Sequence, residues 1–155
     1  MKHLEFFYRA KYHFSIVERM LKNYEEFKDK RIIIGIINES AKSVSFIISA
    51  YLIFLKIFGR NIGRNIENFK RISSKYLDIE TQKNLFRILE IEKARKTSPI
   101  EYQKEENIIL LIGKEYRILT IERLRELIKS LKKTISQFEK FSDNYKKSGN
   151  VKFFT

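Results

Sequence analysis

Two consecutive apolar stripes with helical spacing occupy the first sixty residues of this 155-residue chain. The first stripe consists of Phe7, Ala10, Phe14, Val17, Leu21 and Tyr24. The second consists of Ile34, Ile37, Ala41, Val44, Ile48, Tyr51, Leu55 and Phe58. Steps of three and four residues place each stripe on one side of an α-helix. The sequence therefore predicts two long helices, over about 3–28 and 31–58, paired as the antiparallel hairpin from which helical bundles are built.

The segment 58–65 (FGRNIGRN) interrupts this pattern, because glycine permits a left-handed helix end and asparagine caps a helix start. The candidate C-caps are Gly59 and Gly63, and the candidate N-caps are Asn61 and Asn65. We expect a helix over about 66–77. Asp78 then offers an N-cap for a helix over about 79–95. The pattern leaves open whether 66–95 is one kinked helix or two.

After the loop that Pro99 imposes, two short apolar runs flank Gly113 over 107–119. This arrangement predicts a β-hairpin, although a buried helical turn can have the same composition. Thr120 then caps a long final helix that ends near Lys147. The apolar stripe of this helix consists of Leu124, Leu127, Ile128, Leu131, Ile135 and Phe138.

The predicted fold is mainly α: an up-down helical bundle of four or five helices with a small β-hairpin before the last helix. We expect a single domain over 1–147 and a frayed C-terminal tail over 148–155. A chain of this length can bury a core without metal or disulfide support. It contains no Cys, which excludes disulfides, thiol chemistry and Cys-ligated zinc.

The formal net charge of +13 indicates which kinds of partner the protein could bind, but it does not indicate the fold. RNA, DNA, an anionic membrane surface and an acidic protein are the expected classes of partner. The alternative is that a Lys-rich composition simply makes a solvated basic surface. Abundant Ile, Lys and Glu are also typical of proteins from thermophiles.

One segment, 32–58, is apolar enough to be considered as a membrane span. Glu39, Lys42 and Lys56 interrupt it, and its longest uncharged run, 43–55, is shorter than the ~20 apolar residues that a span requires. We therefore expect the central buried helix of the bundle and no membrane span. With no secretory signal pattern at the start of the chain, we expect a cytoplasmic protein.

Few residues in the sequence are candidates for catalysis or for metal binding. The two histidines, His3 and His13, would lie ~15 Å apart along one helix, too far to share a metal. No Gly-rich phosphate loop or nucleophile elbow is present, and we expect no metal and no cofactor. His13 lies at the edge of the first apolar stripe, where packing is the simpler interpretation. Arg9 and His13, one turn apart, remain weak catalytic candidates.

Basic residues are arranged in rows on two predicted helices. Arg64, Asn68, Arg71 and Lys75 follow a 4-3-4 spacing, with Arg60 just before them. Such a row can follow a phosphate backbone or can be an ordinary solvated face, and the sequence favours neither. The row on the last helix consists of Arg125, Lys129, Lys132, Lys140 and Lys147. Acidic residues flank this second row, so a solvated face is the preferred interpretation there.

The order of these parts resembles the HEPN superfamily, whose members are helical domains found with nucleotidyltransferases and as RNases. The resemblance covers about residues 3–95. It rests on the segment 58–65 and on two strings, YRAKYHF at 8–14 and SAYLIFL at 49–55, which are similar to the first HEPN hairpin.

Active HEPN members carry an Arg, often followed by Asn, with a His four to six residues further on. The resemblance assigns phosphate positioning to that Arg and proton transfer to that His. Arg60 and Asn61 match the first half of this motif, but Asn65 occupies one of the permitted His positions. Asn has no titratable proton, so the resemblance implies a catalytically degenerate member. The pair Arg9 and His13 departs from the motif in position and in spacing.

Four function hypotheses follow. The first is a non-enzymatic basic helical binding module that is RNA- or nucleotide-associated and engages RNA or another polyanion. Its candidate nucleic-acid-binding residues are Arg60, Arg64, Arg71 and Lys75. The second is an oligomerising or protein-interaction bundle, with a protein partner or a homodimer. The third is a HEPN-type ribonuclease that uses Arg9 and His13, or a pair completed by a second subunit. The fourth is a membrane-surface protein.

Overall fold

The computed structural model describes residues 2–97, 102–104, 107–112 and 114–147. Five helices and three strands occur in these residues: α1 (Lys2–Phe27), α2 (Lys30–Phe54), α3 (Ile62–Ser73), α4 (Ile79–Thr97), β1 (Tyr102–Lys104), β2 (Asn107–Ile112), β3 (Glu115–Leu119) and α5 (Ile121–Lys147). The predicted mainly α fold with a β-hairpin before the last helix is therefore confirmed. The predicted C-terminal tail and the turn residue Gly113 lie outside the described residues.

Helices α1, α2, α4 and α5 form a four-helix bundle in which each helix is antiparallel to the next. Hydrogen bonds between helices mark the neighbours. Ser43 Oγ of α2 donates to Ala10 O of α1 at 2.8 Å, and Arg95 of α4 donates to Asn38 of α2 at 2.7 Å. Asn84 of α4 donates to Ser130 of α5 at 2.8 Å. Helix α3 lies at the end of the bundle where α2 stops, and the sheet lies at the opposite end.

Helix α2 is the central element, because it contacts all four other helices. Its predicted stripe is buried from Ile37 to Tyr51, and a second side that includes Ile33, Ile36 and Ile47 is buried as well. By length and composition α2 could also cross a membrane, and half of its apolar window is buried against the rest of the chain.

Helix α2 ends at Phe54 rather than at the predicted Phe58. Lys56 adopts the left-handed conformation, with φ 61°, at the first position beyond the helix cap. Its N–H donates to Ile53 O at 3.0 Å, and Ile57 N donates to Leu52 O at 2.9 Å. These two bonds form a Schellman motif. The expected use of Gly59 or Gly63 as the left-handed residue is therefore wrong.

Residues 66–95 form two helices. Asn61 caps α3, since its Oδ1 accepts from Arg64 N at 3.0 Å, and α3 consequently starts earlier than predicted. Asp78 caps α4: its Oδ1 accepts from Thr81 N at 2.7 Å, and its Oδ2 pairs with Lys133 Nζ of α5 at 2.7 Å. The hydrogen bond from Lys133, and then those from Thr81, hold the pKa of Asp78 well below its usual range.

Replacing Asp78 by asparagine is expected to lower the thermal midpoint at pH 7 and to have progressively less effect as the pH falls below about 4. Folding lowers the pKa of Asp78. Its charge therefore stabilises the folded state at pH values above the unfolded-state pKa, and this stabilisation is lost as the pH falls toward the folded-state pKa. Asn can still cap α4, so the variant isolates the charge. Thermal denaturation from pH 3 to pH 7 measures the effect, with the exposed Asp143→Asn as the control. A pH-independent difference would contradict the assignment.

The hairpin predicted over 107–119 is present, and β1 extends it to a three-stranded antiparallel sheet in the order β1-β2-β3. Leu110 pairs with Arg117 and Ile108 with Leu119. Ile108, Leu110 and Leu119 are buried on the inner face, against the helices. On β3 the outer face carries Tyr116 and Ile118, which are 60% and 64% exposed.

The centre of the core is an aromatic cluster around Phe138 of α5. Its side chain is fully buried, and its ring lies 4.9 Å from the ring of Tyr51 and 5.2 Å from that of Phe7. Phe54 adds an edge contact at 6.0 Å. Burial, and secondarily Tyr76, raises the pKa of the Tyr51 hydroxyl, which donates to Thr134 O. This cluster joins α1, α2 and α5. All six residues of the stripe predicted for α5 are buried.

Candidate anion-binding surfaces

The row of cations predicted on α3 lies on its solvent side. At ~100° per residue, Arg64, Asn68 and Arg71 fall within an arc of ~60°, whereas the buried Phe69 lies ~140° from Arg64. Arg71 Nη2 donates to Asn68 Oδ1 at 3.3 Å, which confirms that these two side chains are neighbours. Lys75 follows in the turn after α3 and is exposed.

A clamp that Asn65 forms with Gly59 holds the backbone before Arg60 against the N-terminal end of α3. The Asn65 Nδ2 donates to Gly59 O at 2.8 Å, and its Oδ1 accepts from Gly59 N at 2.9 Å. These bonds fold residues 59–61 back onto the first turn of α3, with Arg60 exposed beside the N-cap. Asn65 is 7% exposed and has its amide occupied by backbone. Asn65 therefore has a structural role here.

Replacing Asn65 by alanine is expected to lower the free energy of unfolding by about 1–3 kcal/mol, because two backbone groups of Gly59 lose their side-chain partner. Chemical denaturation measures the change. Asn68→Ala is the matched control, since it removes an amide from the outer side of the same helix. A smaller loss for Asn65→Ala than for the control would contradict the role of the clamp.

The charge of this α3 surface is largely uncompensated. Among the residues that the structure describes, Arg60, Arg64, Arg71 and Lys75 have no carboxylate within ion-pair distance. Glu67 is exposed beside the row and reduces its net charge by one unit. We refer to Arg60, Arg64, Arg71 and Lys75 as the α3 basic row.

The row on α5 has a different environment. Arg125 pairs with Glu25 of α1 at 3.0 Å, and Lys132 lies 4.0 Å from Glu18. These pairs join α5 to α1 across the bundle surface. The carboxylates offset part of the positive charge, in agreement with an ordinary solvated face.

Arg9 and His13 flank the ring of Phe46. The His13 ring is stacked on Phe46 at 5.4 Å, and the Arg9 guanidinium lies 5.7 Å from the same ring. His13 Nδ1 is 2.5 Å from Glu39 Oε2, and Arg9 pairs with Glu5 at 2.7 Å. The His13 side chain is 18% exposed. The structure thus brings the two weak catalytic candidates together, with His13 packed between α1 and α2 against Phe46 and Glu39.

A further group of arginines is not apparent from the sequence. Arg87 of α4, Arg117 of β3 and Arg123 of α5 line a cavity of about 160 Å³. They come from three elements and share no linear spacing. The one sequence signal that could have pointed to them is Arg117, which occupies an inward position in the alternation of β3. The described residues contain no cluster of three or more His, Asp and Glu side chains that could hold a metal.

Comparisons with known proteins give no indication of the function. No family model matches the chain, and no curated protein or solved structure matches it either.

Proposed function

We propose that this protein is a non-enzymatic binding module for RNA or a similar polyanion, and that the α3 basic row is its contact surface. The observation that carries the proposal is a set of four exposed cations without ion-pair partners in the described part of the chain: Arg64 and Arg71 on the outer side of α3, Arg60 just before it and Lys75 just after it. Paired cations, such as Arg125 with Glu25, already have part of their charge satisfied by protein.

Binding at such a surface is driven by phosphate. Lys and Arg that neutralise phosphates release the counterions condensed on the nucleic acid, so affinity falls as salt rises. Contacts to phosphate position the protein but do not distinguish sequences. We therefore expect RNAs of unrelated sequence and equal length to bind with similar affinity. The clamp from Asn65 fixes the backbone of Gly59 next to Arg60 without a ligand, which reduces the ordering cost of binding.

The double variant Arg60→Ala/Arg64→Ala is expected to bind a single-stranded RNA at least tenfold more weakly at 0.1 M salt, since each neutralised phosphate contributes to the counterion-release term. Arg19→Ala/Lys22→Ala is the matched control: it removes two exposed cations from α1 and changes the net charge equally. Fluorescence anisotropy gives both affinities. An equal loss of affinity in the two variants would show that net charge, not the α3 surface, controls binding.

A ribonuclease is the second candidate, and the arrangement of Arg9 and His13 around Phe46 is the observation that favours it. An imidazole beside a carboxylate can transfer protons, and the arginine can position a phosphate. Incubation of labelled RNA with the wild-type protein and with His13→Ala decides between the candidates. Cleavage by the wild type that disappears in His13→Ala would establish the enzyme. Our proposal expects no cleavage by either protein.

A further inference from the structure

We propose that the cavity between α4, β3 and α5 binds a phosphate monoester carried by an organic group the size of a nucleoside. Three arginines line it: Arg87, Arg117 and Arg123. The described residues that line it include no carboxylate, but Glu90 pairs with Arg87 at 3.4 Å and Glu126 pairs with Arg123 at 2.9 Å from outside the lining. None of the α3 basic row lines it either, so the inference does not rest on the proposed function.

Arg123 is held in place by protein contacts before any ligand arrives. Its Nη2 donates to Asn84 Oδ1 at 2.9 Å, and its Nη1 donates to Glu126 at 2.9 Å. Asn84 is 3% exposed and is itself fixed by its bond to Ser130. A buried amide thus orients the guanidinium from behind, and the other N–H donors of Arg123 remain available for an anion.

Arg117 lies on the same face of the sheet as the core residue Leu110, with which it is in register and which is 1% exposed. Arg117 itself is exposed, as are all residues of β3 except Leu119, so it lies at the rim of the cavity. Its neighbour Ile118 is on the outer face and is 64% exposed. A strand that served only to cover the core would place the apolar residue inside and the charged one outside. Departures of this kind from consistent patterning are expected at functional sites.

The chemistry of the lining favours a phosphate monoester over a carboxylate. Guanidinium groups form paired N–H bonds with phosphate oxygens, and one or two of them suffice for a carboxylate. Although Glu90 and Glu126 each occupy one N–H of Arg87 and Arg123, the three guanidinium groups keep enough N–H donors for the three terminal oxygens of a phosphate monoester. The floor of the cavity is apolar, with Ile91 and Leu119 buried.

The organic group has space next to the cavity. A wider depression of about 710 Å³ shares Arg87 and Arg123 with the cavity and extends along α4 past Lys83 and Phe86. Its lining also includes the carboxylates of Glu80 and Glu90, so it suits the uncharged part of the ligand rather than the phosphate. A phosphate seated between the arginines therefore places its organic substituent in this depression. The cavity itself, at about 160 Å³, has room for the phosphate group and the first atoms bonded to it.

Isothermal titration calorimetry of the full chain at 0.15 M salt tests the proposal with three probes: adenosine 5′-monophosphate, adenosine and inorganic phosphate. We expect the nucleotide to bind most tightly, phosphate more weakly and adenosine not measurably. Arg117→Met should weaken nucleotide binding about tenfold or more, since charge-assisted hydrogen bonds are removed. Arg19→Met, which removes an exposed arginine of α1 outside both proposed sites, should leave it unchanged.

The outcomes separate the arginine site from the organic part of the ligand. Equal binding of adenosine and the nucleotide, or an unchanged affinity in a folded Arg117→Met variant, overturns the arginine site. Phosphate that binds as tightly as the nucleotide overturns the organic part of the proposal. Absence of nucleotide binding at 1 mM overturns both. Competition by a 5′-phosphorylated RNA, but not by its 5′-hydroxyl counterpart, would identify an RNA end as the source of the monoester. Arg117→Met should not change the affinity for 5′-hydroxyl RNA, so failure here is distinct from failure of the proposed function.

Discussion

Replacing Phe138 by alanine is expected to lower the free energy of unfolding by about 3–5 kcal/mol, the usual cost of removing a fully buried Phe. The ring lies between Tyr51 and Phe7, so its removal leaves a cavity where α1, α2 and α5 meet. Since domains are stable by only about 5–15 kcal/mol, this single change removes a large part of the total. Urea denaturation followed by circular dichroism measures the loss.

The matched control for this variant is Phe27→Ala, which removes the same side chain from the 66% exposed end of α1. We expect the control to change stability by less than about 0.5 kcal/mol, as surface substitutions usually do. Comparable losses in the two variants would contradict the position of α5 in the bundle.

Removing the whole α3 basic row is expected to have the largest effect on RNA binding. The variant changes Arg60, Arg64, Arg71 and Lys75 to alanine. On single-stranded RNA, the slope of log affinity against log salt falls by about 0.7 for each phosphate that the protein no longer neutralises, so removing four cations lowers it by about 3. At 0.15 M salt, that change reduces affinity by about two orders of magnitude. Fluorescence anisotropy over a salt series measures both quantities.

The chain supplies a control of equal charge. Replacing Arg125, Lys129, Lys132 and Lys140 by alanine also removes four cations, but from the α5 row, where Glu25 and Glu18 already offset part of the charge. We expect this variant to retain most of the affinity and most of the salt slope. A decrease in affinity as large as that of the α3 variant would show that the net charge alone attracts RNA.

The sequence predicted the main helices because their apolar residues repeat over many turns. The stripes of α1 and α5 each cover several turns, so the helical period is clear, and a strand pattern does not fit them. Helix ends depend on features with weaker sequence signals. The end of α2 depends on Lys56, a residue type with no preference for the left-handed conformation that it adopts. Strand β1 was missed because three residues, 102–104, are too few to show alternation.

The candidate site was only partly accessible from sequence. The α3 basic row could be found because its members follow the helical period along one helix. The arginine cavity could not, because Arg87, Arg117 and Arg123 are adjacent only after α4, the sheet and α5 have packed together. The structural role of Asn65 could not be predicted either. Its partners are the backbone N–H and carbonyl of Gly59, and the sequence does not indicate where those backbone groups lie.

The central claim is that exposed cations on α3 bind phosphate, and the salt dependence of wild-type binding tests it most directly. Anisotropy titrations with a short single-stranded RNA and a DNA duplex, from low to physiological salt, give the slope and the remaining affinity. Four neutralised phosphates predict a slope of about −3 for the RNA, with binding at 0.15 M salt in the range of about 10⁻⁴ to 10⁻⁶ M. A flat salt dependence, or no binding at physiological salt, would contradict the account and leave the charge of +13 as a solvated surface.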